Sequence, residues 1–219
     1  MAFIETTLPE AAEGAVAGMY LRQQKAWGFV PNYAKVFCHR PEVLARWGQL
    51  LTEIRRPMDK RRFELVTFAA ACALGNSACA LVHGKALAEF FSNEQVCAIA
   101  AGQCDGILTE AERAMVEFAR QVATDAPRVT RVQAAALRAQ GYGDAEIFDI
   151  AAAAAGRAFW AKLLDALGVL ADSPCLAMDE SLRRALTVGR PIDGAECATM
   201  PDLPVAQQGL PLRQQPPAG

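Results

Sequence analysis

The feature that most constrains this chain is an uncharged run from Leu65 to Val82, framed by Glu64 before it and by His83 and Lys85 after it. A run of this length raises the question of a membrane span. It is rich in alanine, however, and Gly75-Asn76-Ser77 interrupts it at the centre, so a pair of buried helices fits better. Gly75 is placed to end the first helix in the left-handed conformation, and Asn76 or Ser77 to cap the second. Cys79 follows directly, four residues before His83, so thiol and imidazole share one face of that second helix.

The rest of the chain reads as the surroundings such a pair needs. Hydrophobic residues make up 53% and charged residues 21%, a globular composition in which abundant alanine and sparse β-branched residues favour closely packed helices. No alternating strand pattern occurs, so the fold class expected is all-α. A helix is expected over residues 8–26, with Pro9 in its first turn, and Trp27-Gly28-Phe29-Val30-Pro31 breaks it. Further helices are expected over 33–38, from Pro41 to a stop at Pro57, from an Asp59 cap to Leu74, and from Ala78 to Phe91. Ser92 and Thr109 head two more, over 95–101 and through Ala123. Another spans 130–140, and a long one over 145–167 is capped by Asp144. A short helix covers 179–186. Residues 1–193 are expected to form one domain, and 194–219 a mobile Pro/Gln-rich tail. The bulk-free stretch Ala151 to Gly156 suits close helix packing or a subunit interface. The aromatics Trp27, Phe29, Tyr33, Trp47 and Trp160 are most simply core.

Charge and cysteine usage narrow the function classes. The formal net charge is −2, and no basic stripe interleaved with aromatics invites nucleic acid. The first residues lack a basic segment followed by an apolar one, so no signal peptide is expected. Seven cysteines occur without any CxxC pairing, which points to reduced thiols in a cytoplasm. Two histidines and unpaired cysteines do not supply the spacing of a zinc site, so neither a metal nor a cofactor is expected. Cys38-His39 are adjacent and do not share a helical face, and they are given a structural role.

The candidate site is therefore Cys79, His83 and Glu64. Cys79 lies in a first helical turn, where the positive end of the helix dipole favours a thiolate. His83 can take its proton, and Glu64 can orient the imidazole if the two helices fold back antiparallel. Nucleophile, base and orienting acid are the parts of an activated cysteine.

The segment FELVTFAAACALGNSACALVHGKAL resembles the core motif of the AhpD-like superfamily, which includes the carboxymuconolactone decarboxylases. The flanks YLRQQKAWGFVPNYAKVFCHRPEVLARW and EIFDIAAAAAGRAFWAKLLDALGV are similar to its peroxidase-related branch. The resemblance implies an all-α bundle built around an antiparallel helix pair, a homo-oligomer, and roles for Glu64, Cys79 and His83. Asn76 stands where the family motif has the first cysteine of its CxxC, so the dithiol is absent. Three functions follow from it. One is hydroperoxide reduction through Cys79 alone, with Cys72 or an external thiol as resolving partner. Another is lyase or isomerase chemistry on a small carboxylate by His83 and Glu64. The last is a non-catalytic ligand-binding oligomer.

Overall fold

The computed structural model describes residues 2–195. Ten α-helices occur among the described residues: α1 Gly14–Trp27, α2 Asn32–Val36, α3 Pro41–Arg55, α4 Lys60–Ala73, α5 Ser77–Leu87, α6 Asn93–Ala100, α7 Glu110–Asp125, α8 Arg131–Ala139, α9 Asp144–Ala166 and α10 Glu180–Leu186. Among the described residues the only β-type pairing is an isolated bridge between Ala171 and Ile192. The proposed tail lies, from residue 196 on, outside the described residues.

α4 is the axis of the bundle. Every residue from Phe63 to Ala71 is buried, and the helix packs against α5, α7 and α9. A helix enclosed on all sides has no use for a polar stripe, which explains the uncharged run. No helix among the described residues is long and apolar enough to cross a membrane. α7 takes the other solution, burying Met115, Val116, Phe118, Ala119 and Ala123 while its opposite face carries charge.

Local rules set most boundaries. Asp59 caps α4 by accepting from the Arg62 amide at 2.9 Å, and Ser92 and Thr109 form capping boxes with Gln95 and Glu112. The chain reverses after α4 at Gly75, whose φ of +69° belongs to glycine. Three expectations need correction. The first helix is split: extended backbone at Ala12 and Glu13 separates a single 3-10 turn, Pro9–Ala11, from α1, which opens on Gly14 at φ +54°. Asp144 is the first residue inside α9, with Gly143 at the cap position. The helix expected to reach Phe91 stops at Leu87 and runs out in turns.

Two glycines allow close approaches around the break. A Cβ at Gly84 would overlap Leu186, so α10 can lie directly on α5. A Cβ at Gly189 would overlap the carbonyl oxygen of Gly75, and the Gly189 amide donates to Ser77 Oγ at 2.8 Å, sealing the break. The Ala151–Gly156 stretch does serve close packing: Trp47 of α3 lies over Gly156, where a Cβ would be 3.2 Å from its ring.

Candidate functional site

Glu64 is carried on α4 and His83 on α5, and the reversal at Gly75 brings them together. His83 Nδ1 lies 2.6 Å from Glu64 Oε2 and 3.2 Å from Thr67 Oγ1. The Thr67 hydroxyl donates to the Phe63 carbonyl at 2.8 Å, which turns its oxygen toward the imidazole as an acceptor. A carboxylate only accepts, so Nδ1 carries the ring proton and Nε2 keeps its lone pair. Glu64 and His83 are both buried. Burial, reinforced by the Arg157 cation and opposed by Glu64, lowers the His83 pKa to about 4, so the imidazole is neutral at pH 7.

Asn76 explains the placement of Cys79. Its side chain accepts from the Cys79 amide at 2.9 Å, making Asn76 the cap of α5, and its own amide reaches the Ala161 carbonyl of α9 at 3.5 Å. Asn76 therefore fixes the helix start on which Cys79 sits. Cys79 is 4% exposed and lies in the first turn of α5.

The residue that sequence reading missed is Arg157 of α9. Its Nη1 donates to Cys79 Sγ at 3.4 Å, and its side chain is 6% exposed. One signal was visible: Arg157 is the only charged residue between Asp149 and Lys162. Its cation attracts a thiolate with a gross energy on the order of 5 kcal/mol at an effective dielectric constant of about 20. Stripping an ion of water costs several kcal/mol or more, so the two effects are of similar size. Burial wins, pushing the Cys79 thiol above its usual value while Arg157 pulls it back. The thiolate expected from the helix dipole alone is thus not the resting state.

Cys79 and His83 share one face of α5, and each has a hydrogen-bond partner from another helix. Among the described residues no hydrogen bond joins them; Cys79 engages Arg157, and His83 engages Glu64. Both pairs open on one cavity of about 1070 Å³, whose wall includes Glu64, Cys79, His83 and Arg157. Trp27, Phe29, Tyr33, Trp47 and Trp160 also face this cavity, and Trp27 is 49% exposed, so the assignment of these aromatics to the core holds only in part. Trp160 anchors them, stacking on Phe37 and Trp47 with centroids 5.4 and 5.5 Å apart.

The remaining cysteines divide by position. Cys72, the thiol nearest in sequence, is not on the cavity wall; it lies within the field of Arg120 of α7, and burial pushes it up to about 12. Cys175, on a 3-10 turn Ser173–Ala177, is the second cysteine on the wall. Cys38 accepts from the Thr7 amide at 3.4 Å and His39 Nε2 lies 2.8 Å from the Glu5 carbonyl, so that pair does tie down the N-terminal segment.

No protein-family model and no curated protein matches the sequence. Solved structures do match the fold. An uncharacterized peroxidase-related protein from Ralstonia eutropha JMP134, described as an alkylhydroperoxidase AhpD core, superposes with a TM-score of 0.70 at 22% identity, over 81% of this chain and 95% of that one. A second uncharacterized peroxidase-related protein, from Silicibacter sp. TM1040, gives 0.68 at 17% identity, over 79% and 95%. The debrominase Bmp8, with a cysteine replaced by alanine and 2,3,4-tribromopyrrole bound, gives 0.64 at 18% identity, over 85% and 98%. The chain has an all-α, AhpD-like fold.

Proposed function

We propose that this protein is a cysteine-dependent oxidoreductase of the peroxidase-related branch, in which Cys79 alone attacks a hydroperoxide. The observation that carries this reading is the placement of Cys79 Sγ 3.4 Å from the buried Arg157 guanidinium, on the wall it shares with the His83–Glu64 pair. His83 takes the thiol proton on Nε2 as the sulfur attacks the distal peroxide oxygen. An S–O bond forms, the O–O bond breaks, and the alkoxide leaves with the proton returned by His83, giving a sulfenic acid and an alcohol. Arg157 stabilises the thiolate as it develops, and Glu64 stabilises the transient imidazolium. Two equivalents of an external thiol then return Cys79 to the thiol, releasing water and a disulfide. The external thiol is preferred to Cys72, which does not reach the cavity.

A second reading is supported by a different observation. Burial holds Cys79 as a thiol and His83 neutral beside Glu64, which suits acid–base lyase or isomerase chemistry on a small carboxylate with Cys79 only lining the pocket. The likeness to a debrominase adds a halopyrrole to the substrates worth assaying. Turnover of an alkyl hydroperoxide with excess thiol separates the readings. Cys79→Ser is expected to lower it by about a hundredfold or more, and His83→Ala by about 10²–10⁴ as for loss of a general base. No hydroperoxide turnover in the parent protein, together with an activity on a small carboxylate that survives Cys79→Ser and is lost in His83→Ala, favours the acid–base reading instead.

A further inference from the structure

Among the described residues Arg157 makes one hydrogen bond, and its acceptor is a sulfur atom. A guanidinium offers five N–H donors in a planar fork and stays charged in any protein setting. At 6% exposure its Nε is buried with no partner at all. No carboxylate oxygen among the described residues comes within the 4.0 Å that defines an ion pair. Other partly buried arginines of the fold reach oxygen acceptors: Arg61 meets Glu112 at 2.7 Å, Arg62 meets Glu146 at 2.6 Å, and Arg120, whose Nε is also unpartnered, donates to the Ile99 carbonyl at 2.9 Å. An unpaired buried charge costs several kcal/mol, and here it faces a cavity instead of a protein acid.

The other charges on the wall point the same way. Its acids are already engaged: Glu64 with His83, Glu89 with Lys60 at 2.5 Å, and Asp172 with the Asn32 amide at 2.6 Å. Its exposed cations Arg22, Arg55 and Lys85 add a positive mouth that steers anions inward. We propose that the cavity binds a small organic carboxylate, its charged end on the Arg157 guanidinium through the Nη2 donors that no group among the described residues takes and its apolar body against Tyr33, Trp47 and Trp160. A charge-assisted hydrogen bond from guanidinium to carboxylate is about twice as strong as one between neutral groups. With one guanidinium at the site and aromatic walls around it, a carboxylate suits the cavity better than a phosphate, which calls for more donors. The proposal rests on reading this cavity as the substrate site, and it is independent of whether Cys79 reacts with a peroxide.

Trp47 and Trp160 on the wall supply the readout. Titration of the intact protein with benzoate and with benzamide, followed by tryptophan fluorescence, is expected to show benzoate binding at least about tenfold tighter. Arg157→Gln is expected to abolish that preference and Arg157→Lys to retain part of it. A check on the unmutated protein covers the case in which those variants fold poorly. Cys79 alkylation by iodoacetate is expected to saturate, to be blocked by benzoate, and to exceed alkylation by iodoacetamide relative to the ratio seen for glutathione. Equal affinity for benzoate and benzamide, binding of neither, or a preference that survives Arg157→Gln overturns the proposal. A benzoate preference in a protein whose Cys79 is inert to hydroperoxide leaves the carboxylate site standing and removes only the peroxidase reading.

Discussion

Two buried polar groups face the same cavity and are satisfied to different degrees. His83 has a carboxylate at 2.6 Å and a hydroxyl at 3.2 Å on one ring nitrogen, and the hydroxyl has its own acceptor one turn back on α4. Arg157, equally enclosed, has a single bond to sulfur and an orphaned Nε. The first cluster is complete within the chain, so its folding energy and its geometry are settled together. The second is incomplete, and a fold retains such a charge where a ligand or a developing anion will use it. Orientation of the imidazole is thus a property of the folded chain, while the guanidinium is held ready for something outside it.

Paired substitutions test that contrast, and the largest stability effect is expected at the complete cluster. Glu64→Ala strips the acceptor from a buried ring N–H and is expected to cost about 3 kcal/mol in urea unfolding. Arg157→Met replaces an unpaired buried cation with an apolar chain of similar length and is expected to be neutral or stabilising by about 1–4 kcal/mol. Equal losses at both positions break the comparison.

The pH dependence follows from the same cluster. The folded pKa of His83 is lowered from the ordinary 6.5 to about 4, so the unfolded chain binds the extra proton first as pH falls. The resulting stability is complete above about pH 6.5 and is lost as pH falls toward 4, by a few kcal/mol in total. His83→Gln is expected to flatten that slope in thermal melts taken across the window; an unchanged slope assigns it to other groups.

Smaller effects are expected where the two helices are joined. Gly84→Ala forces Leu186 away from α5 and is expected to cost about 1–3 kcal/mol. Asn76→Ala removes the cap on the Cys79 amide, at a cost of about 1 kcal/mol. It is also expected to slow Cys79 alkylation or oxidation relative to the parent by loosening the first turn. No change in either quantity contradicts the role given to Asn76.

Much of this arrangement was legible in the sequence because it depends on local chemistry. The break at Gly75, the caps at Asp59, Asn76, Ser92 and Thr109, and the enclosure of α4 follow from residue type and spacing. Glu64 and His83 were legible as partners once the break implied a helix reversal. What stayed hidden is tertiary. Arg157 lies 78 residues beyond Cys79 and meets it only because α9 crosses the start of α5, a packing fact that no spacing encodes. The i,i+4 relation of Cys79 and His83 placed them on one face but did not reveal that stronger partners, Arg157 and Glu64, claim each of them. The break within residues 8–26 also went unread, although α1 opens on a glycine, Gly14, at a positive φ that glycine readily takes.

The central claim is that Cys79 is the reacting thiol of this cavity. It is tested most directly by adding one equivalent of an alkyl hydroperoxide in the presence of dimedone and following each cysteine by peptide mass spectrometry. Cys79 is expected to be labelled first, at a rate at least about tenfold above that of glutathione under the same conditions, consistent with a thiolate stabilised by Arg157 as it forms. Labelling of Cys79 no faster than glutathione, or labelling of another cysteine before it, contradicts the claim.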